Sequence, residues 1–364
     1  MNTTIDALDF LLILFRKQQF LNYDDLDFIV RKHQLDIESI DFLTKKLADS
    51  NIKILDYSPH ERVNRDALYK NFYCNLENRI QTIKGTSKMK ENENFNFHQT
   101  FQPEPEYISN LLSISEEDFK TVKEISSATG IPTGESSGKV EPHILYASFM
   151  GLITYEKKEG KYKIHLTELG KCVYREDRGF QEELTILLCH CMLLRKFEGA
   201  YLWSFIFHDL FPYYEEGLSY KKMLSLLESK FGTKINQKNF APFKSSYENI
   251  FHQLNLIVKD DSLADEVITV NQSRYNSEFI YLYAYVLYEY WDLLYSNQQE
   301  ITADQLDEIG FKHPFGWTKE TEYKILEHLS DQGIIRLNRQ LIPFTIIRLG
   351  QKEDILNNLY SELC

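Results

Sequence analysis

The chain has 364 residues, which at roughly 150 residues per domain predicts two or three domains rather than one core. Hydrophobic residues make up 43%, aromatics 14% and charged residues 26%, enough to bury a large core; the 15 Gly and 9 Pro, together about 7% against a typical level of about 12%, disfavour a barrel, a sandwich or a glycine-looped nucleotide fold. The formal charge of −13 excludes a protein that coats nucleic acid non-specifically, because that binding rests on Lys and Arg displacing counterions from phosphates, so any DNA contact must be local or shared with a basic partner.

The first sixty residues read as helical and acidic. Leu8, Leu11, Leu12 and Phe15 repeat at helical spacing; a second helix starts at Asn22-Tyr-Asp-Asp-Leu-Asp-Phe-Ile-Val-Arg with Asn22 as N-cap; a third begins near Asp36 and runs into a short strand at Asn51-Ile-Lys-Ile-Leu-Asp-Tyr57. From Ser58 to Asn94 the chain turns polar, and the run from Lys84 to Asn94 is too hydrophilic to order itself, which predicts a linker over 83–94.

The central segment is the most informative. Ser115-Glu-Glu-Asp-Phe-Lys offers an N-cap hydroxyl and first-turn acids, and the helix it opens should end before Gly130. A Gly- and Pro-punctuated turn follows at Thr129-Gly-Ile-Pro-Thr-Gly-Glu-Ser-Ser-Gly-Lys-Val, then a helix over Val140 to Met150, then a hairpin whose turn is Lys157-Lys-Glu-Gly160. Helix, turn, helix and hairpin predict a winged helix. Lys139 and His143 would project from the start of the second helix, where a recognition helix meets bases or phosphates, and Lys157, Lys158, Lys161 and Lys163 crowd the hairpin tip. Glu156 and Glu159 stand against them, and many winged helices only dock proteins, so contact with double-stranded DNA and docking on a protein both stay open.

Five further segments read as helices: Glu182 to Leu194, Tyr201 to Phe211, Tyr220 to Lys230, Phe240 to Leu256 and Glu278 to Tyr295; their aromatic content predicts mutual burial. A short helix over Thr302 to Ile309, another capped by Thr318, and a hairpin pairing Gly333-Ile-Ile-Arg-Leu with Leu341-Ile-Pro-Phe-Thr-Ile-Ile-Arg-Leu predict a second winged helix. The expected fold is therefore mainly α: an acidic helical module over 1–60, a helix and polar linker over 61–94, winged-helix modules over 95–178 and 298–364, and a helical-bundle core over 179–297. The longest apolar stretch, Phe279 to Tyr288, is short of the roughly 20 residues of a membrane helix, and the first residues lack the basic start of a signal peptide, so a cytoplasmic protein with no membrane contact is expected. The five cysteines, Cys74, Cys172, Cys189, Cys191 and Cys364, are too irregular for a disulfide framework and are expected as reduced thiols.

Two resemblances add to this. Residues 17–57, with Tyr23-Asp-Asp-Leu, Leu35-Asp-Ile-Glu-Ser-Ile-Asp-Phe-Leu and Leu47-Ala-Asp-Ser-Asn-Ile-Lys-Ile-Leu-Asp, resemble the acidic N-terminal region of bacterial housekeeping sigma factors, a small helical domain able to occupy a DNA channel as an acidic mimic. That resemblance implies regulation or docking; packing against the rest of the chain is the plainer reading. From Phe95 on, the chain resembles the prokaryotic domain-of-unknown-function family four thousand and seven, on Phe97-His-Gln-Thr-Phe101, Tyr146-Ala-Ser-Phe-Met-Gly-Leu-Ile, Leu166-Thr-Glu-Leu-Gly170, Leu187-Leu-Cys-His-Cys-Met-Leu-Leu and Tyr201-Leu-Trp-Ser-Phe-Ile-Phe. It departs from the family where Gln99 replaces the acid after the His and where Pro103-Glu-Pro-Glu replaces an Arg-containing stretch. The resemblance implies an accessory protein encoded beside sulfurtransferase-like enzymes of DNA phosphorothioation and phage-defence clusters, with no chemistry assigned.

Chemistry-bearing patterns are few. Consecutive residues on a helix point about 100° apart, so Cys189-His190-Cys191 cannot all face one zinc ion and read as core. His98, between aromatics, reads as a structural histidine before a base. Gly134-Glu-Ser-Ser-Gly-Lys139 lacks the spacing and preceding strand of a phosphate loop. The acidic run Asp260, Asp261, Asp265 and Glu266 spans a Ser-Leu-Ala loop and reads as a solvated turn before a nuclease metal site. The expectation is a non-enzymatic DNA-recognition or adaptor subunit without a cofactor or metal, working with a DNA-modification or sulfurtransferase-like enzyme; the alternatives are a winged-helix transcription regulator of such a cluster or a cryptic metal-dependent nuclease.

Overall fold

The computed structural model of the chain describes residues 7–8, 10–12, 14–15, 20–33, 35–49, 52–56, 64–65, 95–134, 138–214, 216–231, 234–260, 267–340 and 343–363. The linker expected over 83–94, most of 61–82, Cys74 and Cys364 lie outside these residues. Two compact units are present, one of residues 1–88 with 222–235 and one of 89–221 with 236–364.

In the first unit, the helical residues 7–8, 10–12 and 14–15 include the buried Ala7, Leu8, Phe10, Leu11 and Leu14. A two-residue strand β1 (Leu21–Asn22) pairs in parallel with β2 (Ile54–Leu55), and between them lie α1 (Tyr23–His33) and α2 (Ile37–Asp49). Asn22 caps α1 as its side chain type favours: its Oδ1 accepts from the Asp25 amide at 3.1 Å, and Asp25 Oδ2 accepts from the Asn22 amide at 3.1 Å. The buried Asp25 carboxylate also meets Arg65 at 3.0 Å.

From residue 105 on, one order of elements occurs three times along the chain, and residues 222–235 of the second copy belong to the first unit. The first copy is α3 (Pro105–Ser113), β3 (Lys120–Thr121), α4 (Val122–Thr129), α5 (Val140–Phe149), β4 (Ile153–Lys158) and β5 (Lys161–Leu166), followed by α6 (Glu168–Glu176). After α7 (Glu183–Leu193), the second copy runs α8 (Tyr201–Phe205), β6 (Leu218–Ser219), α9 (Tyr220–Phe231), α10 (Ala241–Glu248), β7 (Ile257–Asp260) and β8 (Val267–Val270). The third runs α11 (Ile280–Tyr295), β9 (Glu300–Thr302), α12 (Ala303–Ile309), α13 (Lys319–Asp331), β10 (Ile335–Asn338) and β11 (Thr345–Arg348), closed by α14 (Lys352–Asn357). In each copy the short first strand joins the hairpin through its second strand, giving antiparallel orders β3-β5-β4, β6-β8-β7 and β9-β11-β10.

The structure corrects the sequence reading at two places. Residues 179–297 are not purely helical, because the segment expected as one helix over Phe240 to Leu256 stops at Glu248, turns through Asn255 at φ +48°, and enters the strand Ile257–Asp260. Nor does Ser115 open a helix: Glu116 adopts φ +67°, and the helix starts at Val122, where Thr121 and Glu124 form a capping box that satisfies two otherwise open amides.

The core is aromatic and centres on α7, whose residues Leu184 to Leu193 are all buried, as expected of a helix apolar on every side. Aromatics partner some of its polar groups: Tyr247 shares a 2.8 Å hydrogen bond with His190 Nε2, and Tyr290 donates to the Cys191 carbonyl at 2.7 Å. Gly170 allows α6 to lie against the backbone of Leu152, just before β4, since a Cβ there would overlap the Leu152 carbonyl oxygen. No helix of the described residues is long and apolar enough to cross a membrane.

Candidate functional site

The hairpin β4–β5 turns on Glu159 at φ +51° and Gly160 at φ +75°, the left-handed pair that a two-residue turn needs to match the twist of its strands. Residues facing each other across the ladder share a face. On one face Tyr155 opposes Ile164 and Lys157 opposes Tyr162; on the other Thr154 opposes His165, Glu156 opposes Lys163 and Lys158 opposes Lys161. Alternation therefore splits the four lysines.

Lys157 lies on the inner face. Its ammonium meets Glu141 of α5 at 3.0 Å and sits 4.8 Å from the Tyr162 ring, while the Tyr162 hydroxyl donates to the same Glu141 carboxylate. Burial works against the Glu141 charge, yet the Tyr162 and Lys157 bonds outweigh it and hold the carboxyl below its ordinary range. Lys157 is thus a strut between hairpin and helix. The outer face carries Lys158, Lys161 and Lys163. Lys158 is 69% exposed and pairs with Glu156 at 3.1 Å; Lys161 and Lys163 have no acid within 4.0 Å among the described residues. His165 meets Glu116 at 2.9 Å at the base of this face.

The helix expected to read DNA is largely covered. No residue of α5 is exposed, and Val140, Pro142, His143, Ile144, Tyr146 and Ala147 are buried. His143, expected at the surface, instead donates from Nδ1 to the Lys139 carbonyl at 2.6 Å and accepts at Nε2 from the Glu104 amide at 3.2 Å. Both ring nitrogens are used, and burial lowers its pKa, so His143 pins the start of α5 and is removed from the direct-contact set. Lys139 pairs with Glu104 at 2.5 Å and lies 5.3 Å from the Tyr107 ring, which anchors it at the same corner.

The other sequence-derived candidates fall into structural roles. Burial pushes the Cys189 and Cys191 thiols far up and the His190 imidazole down to about 3, leaving three inert neutral groups. His98 is buried between Phe97 and Trp203, and burial drops it to about 4 against a small opposing pull from the Phe95 carbonyl. Thr133 and Gly138 bridge the turn before α5, whose residues 135–137 lie outside the described set. Asp260 closes β7, and Asp261, Asp265 and Glu266 lie outside the described residues. Among the described residues, no three His, Cys, Asp or Glu groups converge as a metal site.

One cluster escaped the sequence reading. Asp307 of α12 holds Lys312 at 2.6 Å and Lys319 at 2.7 Å, and Lys312 stands 3.9 Å from Glu322 of α13. Burial raises Glu322 to about 7, and its Oε1 has no hydrogen-bond partner. Beside them His208, in a π-helical turn over Ile206–Leu210, gives its Nε2 proton to the Leu194 carbonyl at 3.0 Å and lies Nδ1 to Nδ1 3.0 Å from His313. The only sequence signal was the Lys319 and Glu322 spacing in the turn after Thr318; Asp307 belongs to a different helix.

No protein-family model matches the chain, and no curated protein matches it. Among solved structures it is similar to SspB, in a magnesium ion-bound crystal structure and in a second SspB crystal structure. Each superposition has a TM-score of 0.60 at 14% identity and covers 76% of this chain and 89% of that one. The likeness is one of fold.

Proposed function

We propose that the three repeated stretches are winged-helix modules and that the protein is a DNA-recognition or adaptor subunit of a bacterial DNA-modification or phage-defence system, acting with an enzyme partner. The genomic context rests on the family resemblance from Phe95 on, and the fold shared with SspB is compatible with it. The observation that carries the DNA half is the outer face of β4–β5: Lys158, Lys161 and Lys163 stand exposed or half-exposed on one side of a hairpin whose other side is tied down by Lys157, Tyr162 and Glu141. Lys161 and Lys163 are two residues apart on one strand, about 7 Å, which lets both engage one phosphate backbone. With α5 largely covered, such a module positions on phosphates through its hairpin.

The magnesium ion of one SspB structure favours a second reading, a metal-dependent nuclease. The described residues do not fit it well: both Asp307 oxygens are taken by lysines and no third ligand converges, so no catalytic step through a metal follows from them.

The experiment is salt-dependent binding of the full chain to a 30-base-pair duplex, with nicking of plasmid in Mg²⁺ read in parallel. The triple change Lys158→Ala, Lys161→Ala and Lys163→Ala should flatten the slope of log affinity against log salt by up to about 3, at roughly 0.9 per phosphate contact. Lys157→Ala should leave the slope alone. Unchanged affinity and slope in the triple variant would make the wing structural, and metal-dependent nicking lost on Asp307→Asn would move the nuclease reading first.

A further inference from the structure

From Lys221 to Lys244 the sequence carries six lysines and one acid, Glu228, in a chain whose formal charge is −13. The stretch ends in a helical run made of a 3₁₀ turn (Gln237–Phe240) and α10, which holds in the second copy the place of α5 in the first and α13 in the third. The run is amphipathic. Phe240, Pro242, Phe243, Ser246 and Tyr247 are buried, and the core pins this side: Trp203 Nε1 donates to Ser246 Oγ at 3.2 Å, the Trp203 and Phe243 rings lie 5.8 Å apart, and Tyr247 is held by His190. On the other side Gln237, Ala241, Lys244 and Glu248 recur at helical spacing with Lys238 beside them, all exposed or half-exposed.

The three copies differ in charge at this place. The lysine that opens the helix is tied to Glu104 in the first copy and to Asp307 in the third, whereas Lys238 has no acid within 4.0 Å among the described residues. The Asn236 side chain accepts from the Lys238 amide at 2.9 Å, which fixes how the run begins. Lys244 lies 5.5 Å from the Tyr220 ring, and Tyr220 meets Phe240 edge-on at 6.5 Å, so this cation too is set by packed aromatics. The acid of the run, Glu248, stands at its far end and is held by Lys259 of β7. The N-terminal half therefore presents lysines, the side-chain amides of Gln237 and Asn239, and a small Ala241, with no carboxylate among them.

A helix about 10–12 Å across fits the B-form major groove, about 12 Å wide, and the positive end of its dipole adds to the pull of its lysines on phosphate. Helix α5 has no exposed residue to offer, and the opening lysine of α13 is already paired. We infer that the run Gln237–Glu248 is the element of this chain that enters a DNA major groove, with Lys238 and Lys244 resting on the phosphates of its rim. The inference rests on the reading that the protein meets duplex DNA, and it names a surface built from other residues than the β4–β5 lysine face.

The test is salt-dependent binding of the full chain to a 30-base-pair DNA duplex and to an RNA duplex of the same sequence. Lys238→Ala should flatten the slope of log affinity against log salt by about 1, and Lys238→Ala with Lys244→Ala by up to about 2. Lys238→Glu should weaken the DNA complex by about tenfold or more at low salt. The RNA duplex should bind at least about tenfold more weakly, because its major groove is too deep and narrow for a helix. Lys238 is exposed, so its single changes test the surface even if Lys244→Ala loosens the Tyr220 contact; circular dichroism checks both. DNA binding that keeps its affinity and slope in Lys238→Glu, while the hairpin triple variant flattens the slope, overturns this inference and leaves the hairpin face standing. Equal affinity for the RNA duplex overturns groove entry. A wild type that binds no duplex overturns both the inference and the reading beneath it.

Discussion

Helices α5 and α13 occupy the same place in two copies of one order of elements, and they are used in opposite ways. Along α5 the sequence Val140-Glu-Pro-His-Ile-Leu-Tyr-Ala-Ser-Phe149 has no polar stripe, and the chain packs over most of it; Tyr146 even donates to the Phe101 carbonyl at 2.9 Å. Along α13 the residues Ile325, Leu326 and Leu329 face inward while Lys319, Glu320, Lys324, His328 and Asp331 stay exposed. The first copy therefore offers its hairpin and largely covers its helix; the third offers its helix. Topology fixes where a surface can be, and the residues on it decide whether it remains one.

The widest separation between the two should come from Tyr146→Ala. Removing this fully buried ring leaves a cavity and an unpaired Phe101 carbonyl, for an expected loss of about 3–5 kcal/mol in urea unfolding. A loss under about 1 kcal/mol would show α5 to be uncovered and return it to the list of reading helices. Next is Glu322→Gln on α13. A carboxyl raised to about 7 favours the protonated form when folded, so its contribution is fully present below pH 4.5 and is lost as pH rises through 7. Wild type should fall behind the Gln variant by up to about 3 kcal/mol between pH 5 and 8 in paired denaturation curves. Equal curves at both pH values would mean that Lys312 fully compensates the charge. The smallest effect belongs to Lys324→Ala on the open face of α13, expected within about 0.5 kcal/mol of wild type by the same measurement.

What could be read from the chain before folding follows the same contrast. Elements with strong local signals were legible: the cap at Asn22, the glycine-terminated turn before α5, the Glu159-Gly160 hairpin and the helix after Thr318 all match. The middle sheet was not, because Ile257 and Val258 follow directly on a helical stretch and the αL turn at Asn255 leaves little mark in sequence. The start at Val122 was missed because Ser115 and Thr121 are both good caps, and the choice fell to Glu124, whose side chain closes the box. At the candidate site the lysines of the hairpin were found and their two faces were not separated. His143 was misplaced by residue type alone: a histidine looks polar, but its neighbours on α5 leave no outward face for it. The Asp307, Lys312, Lys319 and Glu322 cluster needed two helices to meet, which no local pattern announces.

The order β3-β5-β4 leaves β4 as an edge, and at six residues it is longer than the outer hairpin strands β7 and β10 of the other two sheets, at four each. An edge of that length carries a row of open amides and carbonyls that a second chain could extend by strand addition. The residues along its outer half are Glu156, Lys157 and Lys158, all exposed. A strand joining there would have to bring charges to match or bury these unmatched, so the hairpin that offers lysines outward also keeps its own backbone from being used as a template for self-assembly.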